Sequence, residues 1–184
     1  MSRGSQPFNF HEDAFQRIRF SIFHCRNIAG GQRLRPEVSL TSGGATTMGS
    51  VSAHGSASLV AATTISGNTL SASTGSGLLT AAGPINWNVL NVGTTLGATA
   101  GQGSITFQTA QSGGTQTIHA HDNVTFNALT ATGINGDAGS INVNADTGFI
   151  LAQTVISGGV PTLGSVSAHG SARLIAAGAN TGHN

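Results

Sequence analysis

Few side chains in this sequence could carry chemistry, and most of them lie in its second half. His119 and His121 stand two apart in Thr117-Ile-His-Ala-His-Asp122. On an extended strand, alternate side chains face the same way, so both imidazoles could approach one metal ion. A third ligand would have to come from a neighbouring element. At the period of the surrounding sequence, the neighbours of His119 are Thr99 or Ala100 on one side and Ala138 on the other. Neither side supplies a ligand, and Asp122 or Asp137 would have to reach in from a turn. The pattern predicts an exposed polar face with no metal site.

Acid–base chemistry fares no better. Hydrolases and lyases of polysaccharides need clustered carboxylates, usually beside a cation. The spacings of Asp122, Asp137 and Asp146 do not match the period, so these three are not expected to meet. Lys is absent and Arg173 is the lone cation after Glu37. No catalytic residue, cofactor site or enzymatic activity is expected. Asn135-Gly-Asp-Ala-Gly139 suggests a calcium-binding turn but lacks the repeated Gly-Gly-x-Gly-x-Asp nonapeptide, and reads as a plain turn. Cys25 is the single cysteine, which excludes an intramolecular disulfide and a cysteine zinc cluster. Thr115-Gln-Thr117 and Thr130-Ala-Thr132 hint at a threonine array of the ice-binding kind, yet they fall at different phases of the period and build no ladder.

Composition limits the partners. Charged residues make up 7% of the 184, against about a quarter in an ordinary domain. The net charge is +1, so a nucleic-acid partner is not expected. No uncharged apolar run reaches the length of a membrane span. Near the start of the chain, Glu12, Asp13, Arg17 and Arg19 stand where a signal peptide keeps its apolar centre. The chain divides near Val38: residues 1–37 hold six of the seven Arg and five of the eight Phe, whereas 38–184 are dominated by Gly, Ala, Ser, Thr and Asn.

In that second part, apolar and polar residues alternate in Ile85–Val89, Ser104–Gln108, Asn123–Asn127 and Ser140–Asn144. Alternation of period two marks strands with one buried face. Gly-rich punctuation between them supplies corners. Ile85, Ile105, Val124 and Val143 recur at a period of about 19–20, as do the pairs Leu59 and Leu78, and Leu70 and Val89. Gly49–Ala62 and Gly164–Ala177 are identical at 12 of 14 positions at an offset of 115, close to six such units, and carry His54 and His169 at one equivalent place. The recurrence of those two histidines follows from the duplication and needs no site.

A unit of this length cannot bury its own apolar face, but stacked units can share a core and pair their backbones. The expected fold is an all-β parallel β-helix, or solenoid, over residues 38–184, with about 19–20 residues in each coil. About seven coils at one strand spacing each make a rod of about 35 Å. Its interior is expected to hold small and β-branched residues.

The segments Gly49–Ala62, Gly139–Ala145 and Gly164–Ala177 resemble the haemagglutinin repeats of filamentous haemagglutinin adhesins, a likeness that extends over about residues 42–180. The resemblance implies a right-handed parallel β-helix and a place on the surface of, or secretion from, a Gram-negative bacterium by the two-partner route. It also implies a role in attachment to host-surface glycans or neighbouring cells. The stalks of contact-dependent growth inhibition effectors share the architecture, and carbohydrate-active β-helix enzymes are a more distant alternative. No Asn-Pro dipeptide of the family's secretion domain occurs, and so few coils read as a fragment of a longer parent.

Residues 1–37 form a separate segment. Phe10, Ala14, Phe15, Ile18, Ile22 and Phe23 recur at helical spacing, which predicts an amphipathic helix over 9–28 that caps the first coil, or else a leader foreign to the fold. An uncapped end coil would expose strand edges and invite self-association.

Overall fold

The computed structural model describes residues 19–22, 37–133, 139–157, 163–168, 170 and 172–174. Strand β1 (Arg19–Ile22) is followed by β2 (Val38–Ser42), β3 (Thr46–Ala53), β4 (Ala57–Ala61), β5 (Ile65–Ala72), β6 (Gly77–Ala81), β7 (Ile85–Val92) and β8 (Leu96–Ala100). Then come β9 (Ile105–Ser112), β10 (Gln116–Ala120), β11 (Val124–Ala131), β12 (Ile141–Ala145), β13 (Ile150–Ser157), β14 (Leu163–Ala168) and β15 (Ala172–Leu174). Even-numbered strands stack in one sheet, which β1 joins at its end, in the order β1-β2-β4-β6-β8-β10-β12-β14. The remaining odd-numbered strands form a second, β15-β13-β11-β9-β7-β5-β3. All pairings from β2 onward are parallel. The molecule is the parallel β-solenoid that the periodicity predicts.

The regular coils, from β2 to β11, keep the short period, as in Val38↔Ala57, Ala57↔Gly77 and Gly77↔Leu96. The next coil is longer: Gln116 pairs with Ile141 and Val124 with Ile150. Val124 therefore does not stack on Val143, which lies in the other sheet beside Ile118. Register also departs by one residue from the simplest alignment of the sequence at two other places. Leu59 pairs with Leu79 and Leu70 with Leu90, because a corner absorbs the extra residue. Leu78 and Val89 consequently face outward, 44% and 38% exposed, while Leu79 and Leu90 are buried. A shift of one residue turns a strand inside out.

The duplicated segments do not occupy equivalent places. Successive coils carry Ala53 through Ala72, Val92, Ser112 and Ala131 to Ser157, so the second copy falls half a coil further on. Val51 and Ala53 lie in the seven-stranded sheet, Val166 and Ala168 in the eight-stranded one. The motif tolerates both settings because in each a strand ends in Ala and the next begins in Ala four residues on.

The interior is built of columns running along the solenoid. Ile65, Ile85, Ile105, Val124 and Ile150 form one, and Leu40, Leu59, Leu79, Ala98, Ile118 and Val143 another. Ala61, Ala81, Ala100, Ala120 and Ala145 line a corner as a column of buried methyl groups. A further column corrects the expectation of an interior limited to small and β-branched residues: Trp87, Phe107 and Phe126 stack in register and are at most 2% exposed. Room for the indole comes from Gly67, which pairs with Trp87 and whose missing side chain the ring occupies. In the neighbouring strand, a Cβ on Gly77 would stand 2.6 Å from Val92 Cγ1.

Residues 19–22, within the expected helix, form a strand antiparallel to β2, with Arg19 opposite Thr41 and Ile22 opposite Val38. Isolated amphipathic periodicity yields here to the free hydrogen-bonding edge of β2. The rest of 9–28 lies outside the described residues, as does Cys25. No described helix is long and apolar enough to cross a membrane.

Candidate functional site

Four titratable residues of the repeat region meet at one edge of the solenoid, at the corner that follows β10 and β12. β10 ends at Ala120, so His119 projects outward from the strand while His121 opens the corner. The two rings do not share a strand face, contrary to the expectation for a continuous strand. His119 is flanked by Thr99 one coil back, as the period predicts, and by Asn144 one coil on, where the short period places Ala138. The longer coil delivers Asp146 to this spot.

His119 Nε2 donates to both carboxylate oxygens of Asp146, at 2.9 and 3.0 Å. A carboxylate only accepts, so the shared proton sits on Nε2. Asn144 Nδ2 donates to Asp146 Oδ1 at 2.7 Å. These donors, the His119 bond foremost, hold the Asp146 carboxyl below the ordinary carboxylate value; partial desolvation opposes them, and the charges of His119 and His121 assist. Beside this trio, His121 Nδ1 donates to Asp122 Oδ1 at 2.8 Å, and Thr147 Oγ1 reaches the same oxygen at 3.5 Å. Thr147 also bonds the His121 carbonyl through both its amide, at 2.8 Å, and its hydroxyl, at 2.8 Å.

Asp122 and Asp146 thus lie on adjacent coils of one corner, which corrects the expectation that their spacing keeps them apart. The separation of the two in sequence nearly equals the long coil. Asp137 and the turn around it lie outside the described residues. Chemically the cluster is two open His–Asp pairs, with side chains 42–46% exposed. The His119–Asp146 pair and the Thr147 bonds tie neighbouring coils together. Among the described residues, no three His, Cys, Asp or Glu side chains form a group able to hold a metal.

His54 sits at a corner on the other side, its Nδ1 at 3.2 Å from Ser73 Oγ, while the Ser73 and Thr74 hydroxyls donate to its carbonyl at 3.2 and 2.6 Å. His169 lies outside the described residues. Thr115 and Thr130 fall on different elements: the Thr115 hydroxyl bonds Ser140 at 3.1 Å at a corner, and Thr130 stands near the end of β11. A shallow notch of about 350 Å³ crosses the eight-stranded sheet where Gly97 leaves a gap beside Leu78, rimmed by Thr95, Thr115 and Thr117.

The most regular surface feature is one that sequence reasoning misses. Each long strand of the seven-stranded sheet bends at its middle, where two consecutive residues face outward, as in β7 and β9. The first of the two is Asn68 in β5, Asn88 in β7, Gln108 in β9, Asn127 in β11 and Gln153 in β13, all exposed. Asn88 Nδ2 donates to Asn68 Oδ1 at 2.9 Å. The signal is present as Asn or Gln recurring once per coil, but in an alternating strand each reads simply as the polar partner of a buried neighbour. No family model, curated protein or solved structure matches this chain.

Proposed function

We propose that this chain is a structural and adhesive stalk segment of a bacterial surface-exposed or secreted protein of the filamentous haemagglutinin type. It works in attachment to host surfaces or neighbouring cells, as part of a longer parent. The observation that carries this reading is the parallel stacking of the coils, with every aromatic ring of β7, β9 and β11 inside and a largely polar outer face without charged residues from β3 to β13. A stack of this kind transmits position: each coil is held by the backbone of the next, and length grows by one strand spacing per repeat. The Gly-Ser-Val-Ser-Ala-His-Gly-Ser-Ala segments supply the likeness to the adhesin repeats.

On this reading the chain is not an enzyme, and its His119–Asp146 pair is a structural tie between coils. Latex beads coated with the purified chain should attach to cultured epithelial cells or to bacterial cells more than beads coated with an unrelated solenoid. Attachment no greater than that control removes the adhesive function. In the producing bacterium, protease added to intact cells should degrade the parent protein; protection until lysis removes the surface location.

A further inference from the structure

The outer face of the seven-stranded sheet is unusual for what it lacks. From β3 to β13 its six strands contain no charged residue. Along the bend runs the column Asn68, Asn88, Gln108, Asn127 and Gln153. Beside it lie Ser66, Asn86, Thr106 and Thr125 in one register-matched row, which runs on to the exposed Leu151, and Ser71, Asn91, Gln111 and Thr130 in another, which runs on to the exposed Ile156. Four inter-coil steps of about 4.8 Å give the amide column a run of about 19 Å.

Each primary amide carries two N–H donors and a carbonyl with two lone pairs. Asn88 donates to Asn68, and even a bond of that kind at every step would use only one donor and one acceptor per side chain. A donor and an acceptor then remain at every step. A hydroxyl group is itself both donor and acceptor, so a polymer bearing hydroxyls at regular intervals matches this face group for group. From β3 to β13 the sheet carries no fixed charge, and Arg173 stands in β15 beyond it, so this stretch gives no advantage to sulfated, sialylated or phosphorylated chains, for which cationic side chains along it would be needed.

We propose that this amide column binds a neutral, extended polysaccharide along the solenoid axis. The inference rests on the adhesive reading above and gives it a ligand class and a face. The full chain is applied to an array of neutral glucans, mannans and galactans printed beside heparin and polysialic acid. Retention on at least one neutral polymer is expected, changed less than about twofold between about 0.05 and 0.5 M NaCl, a range over which screening would abolish an ionic contact. The variant Asn88→Ala/Gln108→Ala/Asn127→Ala is expected to lose about tenfold in retention through the loss of several hydrogen bonds. Its thermal melt, followed by the emission of Trp87, should remain cooperative. Thr41→Ala/Thr80→Ala, on the other sheet, should bind as the parent does.

Should the triple variant fail to fold, Gln108→Ala alone decides, with a loss of about threefold expected. Retention confined to heparin or polysialic acid, retention on no polymer, or full retention by a folded ladder variant overturns the proposal. The bead assay separates the two readings: beads that attach to cells while the array stays blank sink this inference alone, and beads that fail to attach sink the adhesive reading.

Discussion

At the scale of single residues, two features bear on stability. Gly67 is required by what its neighbour does: Trp87 lies over it, and a Cβ there would stand within the indole ring's van der Waals envelope. Trp87 Nε1 is buried without a hydrogen-bond partner, so packing holds the ring. Gly67→Ala should therefore destabilise the chain by about 1–3 kcal/mol through overpacking. Because Trp87 is the single tryptophan, its emission reports the change directly; an unshifted spectrum and melt would contradict the stacking. The second feature is Asp146. Its carboxyl is held below the ordinary value, so its contribution is present above the unfolded carboxylate pKa and is lost as pH falls through the lowered folded value. The parent chain should melt at a higher temperature than Asp146→Asn near about pH 7, and the difference should vanish as pH falls through the lowered folded value, where Asp146 becomes neutral as well. A constant difference through that fall in pH would show that the His119 bond does not couple to stability. The pair is exposed, so the difference should be small.

At the scale of strands and coils, register decides which residues count. Leu78 and Leu79 are adjacent and chemically identical, but Leu79 is fully buried whereas Leu78 leans over Gly97 on the surface. Leu79→Ala should cost about 2–5 kcal/mol, and Leu78→Ala no more than about 0.5 kcal/mol, read from paired denaturant titrations. Equal costs would place the strand one residue out of register. This is also where the limits of the sequence lie. The strands around Ile85, Ile105, Val124 and Ile141 are legible because alternation is a direct image of the pleat. Their stacking partners are legible only to within one residue, since a corner of three residues and one of four leave the same Gly and Ser signature. The aromatic column is not legible, because the space for Trp87 belongs to a glycine one coil away. The His119–Asp146 tie is hidden by the long coil, whose added residues around Asn135-Gly-Asp137 look in the sequence like any other corner. Gln116 shows the consequence inside: it stands where Leu96 and Ile141 stand in adjacent coils, and its amide donates to the Ala110 and Thr130 carbonyls at 3.2 and 2.8 Å.

At the scale of the whole molecule, the ends matter most, because a solenoid satisfies its backbone everywhere except at its first and last coils. At the N-terminal end, β1 lies antiparallel on β2, and reversing direction there breaks the parallel pattern that another coil would need in order to add. The neighbouring edge of β3 has no described strand on its outer side, so among the described residues only half of that end is covered. Unpaired parallel edges are templates for further strands, and covering one of two leaves too narrow a platform for an incoming coil to be held by both sheets. A chain lacking residues 1–36 presents both edges at once. It should associate in a concentration-dependent way through that end, detected by sedimentation equilibrium, while the full chain sediments as a smaller species at the same concentration. If both sediment alike, the β1 pairing adds nothing to the protection of the first coil, and a role for the charged N-terminal segment must be sought elsewhere.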